Sequence, residues 1–367
     1  MAALDAFVSA LLPAQDPQGR HIMAALVKRT YEIGPDGRCT PAAEQDPLVG
    51  ADRYYDGRDP VTAACEFESD YIPYKLATDV VVNATAHAPG GRPVKSLEVA
   101  VSIAGVTKRI LVIGDRHCSF ARSGHPLFSE PEPFATMPIR YERAYGGVDV
   151  ASSGPDAPMI YPRNHLGKGF VVANVRASIE GLELPNLEDP GQPLRPETLV
   201  GPMEQWQQRP LPQGFGWYGK LWYPRCSFAG VMPAYMSMYD ELREAFLGLV
   251  PRDQVEQFKK FKLPLLDFQY FNGASPGLAL PDLKGDETIR MVHLDPRGDF
   301  TLKLPGAPPR IGIDLGDSPR YPEVVLQTVC VLKEAGRVYL VWRGAVGYPG
   351  PEKLDAIKRM DVLVEEG

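Results

Sequence analysis

The chain of 367 residues is 44% hydrophobic and 23% charged, the balance of a soluble globular protein with one large or two ordinary domains. Its 35 glycines and 37 prolines make about a fifth of the sequence, against about 12% in average proteins. That density of helix breakers argues against a helical bundle and for short strands joined by many turns. A formal net charge of −7 without a basic stripe argues against nucleic-acid binding, and Lys259-Lys260 with Lys262 reads as a solvated helix face.

Along the chain, Ile22 to Ile33 reads as a strand, closed by the turn Gly34-Pro35-Asp36-Gly37. Residues 40 to 60 are polar and proline-rich and read as loop. Strands are expected at Thr62 to Tyr71 and Asp79 to Ala88, with a turn at Pro89 to Pro93. Ser96 to Ile103 alternates Leu97, Val99, Val101 and Ile103 with polar residues, and Arg109 to Ile113 follows it as a meander. Residues 123 to 140 are rich in proline and suggest a domain boundary. Beyond it, 148 to 215 is mostly irregular, with a strand near Phe170 to Asn174. Apolar residues recur at helical spacing over 234 to 262. Strands are expected again at Thr288 to Leu294, Gly298 to Leu304, Val324 to Lys333 and Arg337 to Trp342. Glu334-Ala335-Gly336 joins the last two as a hairpin, and Pro351 to Met360 reads as a short terminal helix.

Cys39, Cys65, Cys118, Cys226 and Cys330 are odd in number, widely spaced and without a CxxC, which fits a reducing cytoplasm. Met1 to Leu12 carries Asp5 and no basic residue, a poor signal peptide. No apolar run approaches the ~18 residues of a membrane span. Gly214-Phe215-Gly216-Trp217-Tyr218-Gly219 matches GxGxxG, but prolines flank it where a nucleotide site needs a strand and a helix. His117-Cys118 with His125 lacks a four-ligand spacing. Cys118 with His165 has no local support as a nucleophilic pair, and Glu66, Glu68 and Asp70 read more simply as turn or surface carboxylates than as a glycosidase pair. No catalytic, cofactor or metal residues are therefore assigned.

Short clusters run in order along most of the chain: Lys28-Arg29-Thr30-Tyr31; Glu68 to Lys75 leading into Thr78-Asp79-Val80; Ala88 to Val94; Val112 to Arg116; Pro138 to Gly147; Leu184 to Glu188; Trp222-Tyr223-Pro224-Arg225; Phe271-Asn272; Leu283 to Glu287; and Trp342-Arg343-Gly344. In residues and order they resemble domain-of-unknown-function family 2169 (DUF2169), found with bacterial type VI secretion systems. Asn164-His165 and Gly216-Trp217 depart from its pattern, where Asn-Pro and Gly-Pro are expected.

The resemblance implies a cytoplasmic adaptor or chaperone. It would hold a type VI effector, often one with a proline-alanine-alanine-arginine (PAAR) domain, and help load it onto the valine-glycine repeat (VgrG) spike, with no nucleic acid or membrane as partner. The alternatives are a carbohydrate-active hydrolase with a site assembled from distant residues, and a structural baseplate component. The expected fold is mainly β, with sandwich- or barrel-like domains at 1–128 and 129–346, a helical insertion near 234–262 and a tail at 347–367. Arg143, Gly146, Gly147, Trp222 and Arg225 are expected as structural fasteners. Tyr235, Met236 and Tyr239 lie partly off the apolar face made by Met238, Leu242 and Phe246, and are the candidate partner contacts.

Overall fold

A computed structural model describes residues 7–152, 154, 158–229, 267–306, 308–352 and 360–365. The helical insertion expected at 234–262 lies outside the described residues. The fold is mainly β. Its principal strands are β1 (Val8–Gln15), β2 (His21–Ile33), β3 (Cys39–Pro41), β4 (Thr78–Asn83), β5 (Ser96–Ile103), β6 (Val106–Ile113) and β7 (Leu187–Glu188). They continue with β8 (Ala279–Leu280), β9 (Thr288–Asp295), β10 (Gly298–Lys303), β11 (Arg310–Asp314), β12 (Val324–Leu332), β13 (Arg337–Gly347) and β14 (Asp361–Glu365).

The first sheet has the order β1-β2-β13-β12-β4-β8, with β3 beside β2. Its pairs are antiparallel except β12 with β4, which is parallel. Central strands must bury both faces, and their sequences read accordingly. All six residues of β4 are buried, as is the run from Ile22 to Lys28 in β2. The second sheet, β7-β6-β5-β9-β10, is antiparallel throughout. Val80 and Val329 from the first sheet join Val99, Val112, Ile289 and Leu302 from the second in one apolar core.

The boundary expected between residues 128 and 129 does not separate two sheets. β2 pairs with β13, β4 with β12 and β5 with β9, so both sheets are woven from strands on either side of that position. What stands apart is the loop-rich middle of the chain. A second core gathers Cys118, Tyr145, Tyr161, Phe170, Leu199 and Trp206, all from the stretch between β6 and β8. Aromatic rings fill the space that regular elements would otherwise occupy. Tyr161 lies 5.1 Å from Tyr145 and 5.3 Å from Phe170, and Trp206 lies 5.1 Å from Tyr223.

Two local expectations change. Strand at Thr62 to Tyr71 shrinks to Cys65–Phe67, because Glu68 and Asp70 turn inward to meet cations instead of alternating along a sheet. Phe170 to Asn174 forms no strand. Phe170 donates to the Gly146 carbonyl, and the Val172 amide is taken by the Asp149 carboxylate. The terminal helix expected at Pro351 to Met360 falls largely on residues 353–359, which lie outside the described residues; after them Asp361–Glu365 is a strand paired with β11.

Candidate functional site

The family-like clusters are points where distant segments are fastened together. Lys28, on β2, is buried among apolar neighbours. Its Nζ donates to Asp70 Oδ2 at 2.8 Å and the Pro47 carbonyl at 3.1 Å, and lies 3.9 Å from the centre of the Tyr339 ring. Lys75 donates to Asp79 at 2.7 Å and Thr328 at 3.0 Å. Asp79 also accepts the backbone amides of Gly273 at 3.0 Å and Ala274 at 3.1 Å, which ties β4 to the loop before β8. A buried charge is tolerated only when it is paired and its remaining hydrogen-bonding capacity is used, and these are.

Arg225 follows the same logic. It is buried, makes a two-pronged ion pair with Glu68, and donates to the Tyr270 carbonyl at 2.9 Å and the Tyr218 carbonyl at 2.6 Å. One guanidinium thus joins three segments, which its planar fork allows and a lysine would not. Trp222 packs edge-on against Tyr141 at 5.0 Å and Tyr218 at 5.2 Å. Its Nε1 donates to His165 Nδ1 at 3.0 Å, so the imidazole proton sits on Nε2, which donates to the Val61 carbonyl at 3.1 Å. Burial lowers the pKa of His165 below the usual histidine value and favours this neutral form. His165 is thus built into the fold.

Arg143 differs from Arg225. It is half-buried and reaches the Asn186 side chain at 3.2 Å and Asp115 at 3.6 Å, not a set of loop carbonyls. Gly146 and Gly147 have φ of 151° and 111°. A Cβ on Gly146 would collide with the Asn164 carbonyl oxygen, so the chain crossing there requires glycine. The GxGxxG match is likewise a packing feature: a Cβ on Gly214 would meet the Tyr141 ring, and one on Gly219 the Trp222 ring. Tyr235, Met236 and Tyr239 lie outside the described residues.

Two of the carboxylates and the thiol considered for chemistry are engaged elsewhere. Glu68 and Asp70 are held in buried ion pairs. Cys118 belongs to the second core, and burial raises its pKa. Among the described residues no group of three or more His, Cys, Asp or Glu side chains is placed to hold a metal ion.

A pocket of about 750 Å³ opens beside β6, within the size range of ligand sites. Its lining includes Lys108, Arg109, Arg163 and Asp189, with Leu211 and Pro276 among the apolar residues. Lys108 Nζ donates to Ser275 Oγ at 2.6 Å and the Pro276 carbonyl at 2.8 Å. Desolvation lowers its pKa to about 7, against the opposing pull of Asp189. Ser275 Oγ also accepts from the Tyr141 hydroxyl at 2.9 Å and donates to the Gly214 carbonyl at 2.7 Å. No sequence signal marked Lys108 or Ser275, which stand 167 positions apart and meet only because β6 passes the loop before β8.

Fold and site together define a loop-rich, mainly β protein whose buried charges are fasteners and whose open pocket lies against a sheet edge. The chain belongs to the family DUF2169, described as an uncharacterized protein conserved in bacteria, whose model matches residues 18–343. No curated protein matches the chain. No solved structure matches it. Among the described residues no helix is long and apolar enough to cross a membrane.

Proposed function

We propose that this protein is an adaptor: it binds a type VI secretion effector, one carrying a PAAR domain, in the cytoplasm and helps load it onto the VgrG spike. The observation that carries this reading is the ordered run of clusters from Lys28 to Gly344, which resembles the DUF2169 pattern and lies almost wholly within the matched segment. Their charged members support it by facing one another, as a scaffold requires, and not an open cleft. Binding would be stoichiometric and would cover effector surface until delivery. The hydrolase alternative has its best arrangement in Lys108, Ser275 and Tyr141. There Ser275 is 0% exposed and its hydroxyl proton is directed at Gly214, so a substrate carbonyl has no path to it. A structural place in the baseplate remains the rival among binding roles.

The test is affinity copurification of the tagged full chain from bacteria that express it beside a PAAR-domain effector and VgrG. Recovery of the effector at a fixed ratio, and loss of effector delivery on deleting the gene, are expected. Normal delivery without the protein would overturn the adaptor reading.

A further inference from the structure

β7 covers only part of the edge of β6. Its two residues pair with Leu111 and Val112, and the chain then departs through Asp189 to Gly191. Among the described residues no strand or bridge pairs with the outer edge of Val106 to Ile110. The direction of that edge follows from the ladder. Ile113 donates outward to the Asn186 carbonyl, and residues of an antiparallel strand alternate sides, so Arg109 and Thr107 also present N–H and C=O outward. The 750 Å³ pocket fills the gap where β7 leaves off. Such an edge is a template for another strand.

The charge of the gap is uneven. Lys108 and Arg163 both face it, and among the described residues neither has a carboxylate within ion-pair distance. Lys108 is held by Ser275 and Pro276, and Arg163 by the Gln207 carbonyl at 3.0 Å and the Tyr161 hydroxyl. Among the described residues Asp189 is the single acidic one on the wall, and one of its oxygens accepts the Gly191 amide. Leu211 and Pro276 supply apolar surface beside the cations.

We propose that this gap binds an extended peptide segment, which adds to the second sheet along Val106 to Ile110 as an antiparallel continuation of β7, with an acidic residue opposite Lys108. Backbone bonds to Thr107 and Arg109 supply affinity, and the carboxylate facing Lys108 and Arg163 supplies selection. Directly opposed residues of an antiparallel pair share a face, so the acidic side chain emerges on the side of Lys108. The inference rests on the adaptor reading only for whose segment is bound.

The probe is a fluorescein-labelled hexapeptide Thr-Val-Glu-Val-Thr-Val, blocked at both ends, and its counterpart with Gln in place of Glu. Binding to the full chain is measured by fluorescence polarisation, and the bound site by amide hydrogen exchange. The Glu peptide should bind at least about tenfold more tightly than the Gln peptide, the size of one charge-assisted contact. Lys108→Gln should remove most of that difference. Thr107→Pro deletes an outward N–H and the side-chain bond to Ser102 while leaving the backbone bonds to β5 intact, and should weaken both peptides by about tenfold or more. Slowed exchange at Thr107 and Arg109 in the wild-type protein carries the test even if Thr107→Pro folds poorly. Equal affinity for the two peptides, no binding up to millimolar concentration, or protection elsewhere would overturn the proposal. Failed peptide binding with intact effector copurification rejects this site alone; peptide binding without effector copurification rejects the adaptor reading alone.

Discussion

At the scale of single residues, burial decides which arginine matters. Arg225 has no water to fall back on, and its removal leaves Glu68 charged and unpaired in the interior. Arg225→Ala should cost about 3–5 kcal/mol in urea denaturation, the usual penalty for breaking a buried pair from one side. Arg143 is half-solvated, and Arg143→Ala should cost about 1 kcal/mol or less. Equal losses would refute the distinction. His165 adds a pH dependence. Its folded pKa is depressed, so the unfolded chain takes up a proton first, from about pH 6.5 downward. The stability owed to the neutral ring is complete above that pH and is lost as acid protonates the nitrogen that accepts from Trp222. Melting curves from pH 5 to 7.5 should show a steeper acid decline for wild type than for His165→Leu.

Among the elements, the crossing at Gly146 leaves no room for a side chain. The residue has a positive φ and packs against the Asn164 backbone, so the methyl of Gly146→Ala meets a carbonyl that other bonds already hold in place. A loss of at least about 1–3 kcal/mol is expected from chemical denaturation. Strand position makes a second prediction. β13 lies between β2 and β12, whereas β1 is an edge. Native-state hydrogen exchange should find the slowest amides in β13 and much faster ones in β1. Comparable rates in the two strands would mean that the pairing order is wrong.

On the scale of the whole molecule, the two ends of the chain depend on each other. A fragment of residues 1–128 keeps β2, β4 and β5 but lacks β13, β12 and β9, the strands that cover their edges. It should show little strand signal in far-ultraviolet circular dichroism and poor dispersion in NMR spectra. A well-dispersed spectrum would restore the division at residue 128. The middle of the chain, with its own aromatic core, is the better place to seek an independent unit.

How much of this was legible in the sequence follows from the range of each interaction. Period-2 alternation in Ser96 to Ile103 and the hairpin at Glu334-Ala335-Gly336 are local, and both strands and turn stand where they were expected. Breaker density likewise determined that the chain is mainly β, because proline and glycine act through their own backbone. The division into domains was not legible, since which strand lies beside β2 is settled by side-chain packing across some three hundred positions of chain. For the same reason Glu68 and Asp70 looked like surface carboxylates: their partners, Arg225 and Lys28, lie 157 and 42 residues away. The pocket beside β6 belongs wholly to the tertiary structure. Its cations come from Lys108 and Arg163, and among the described residues the edge beside it is left unpaired because β7 pairs with two residues and then turns away.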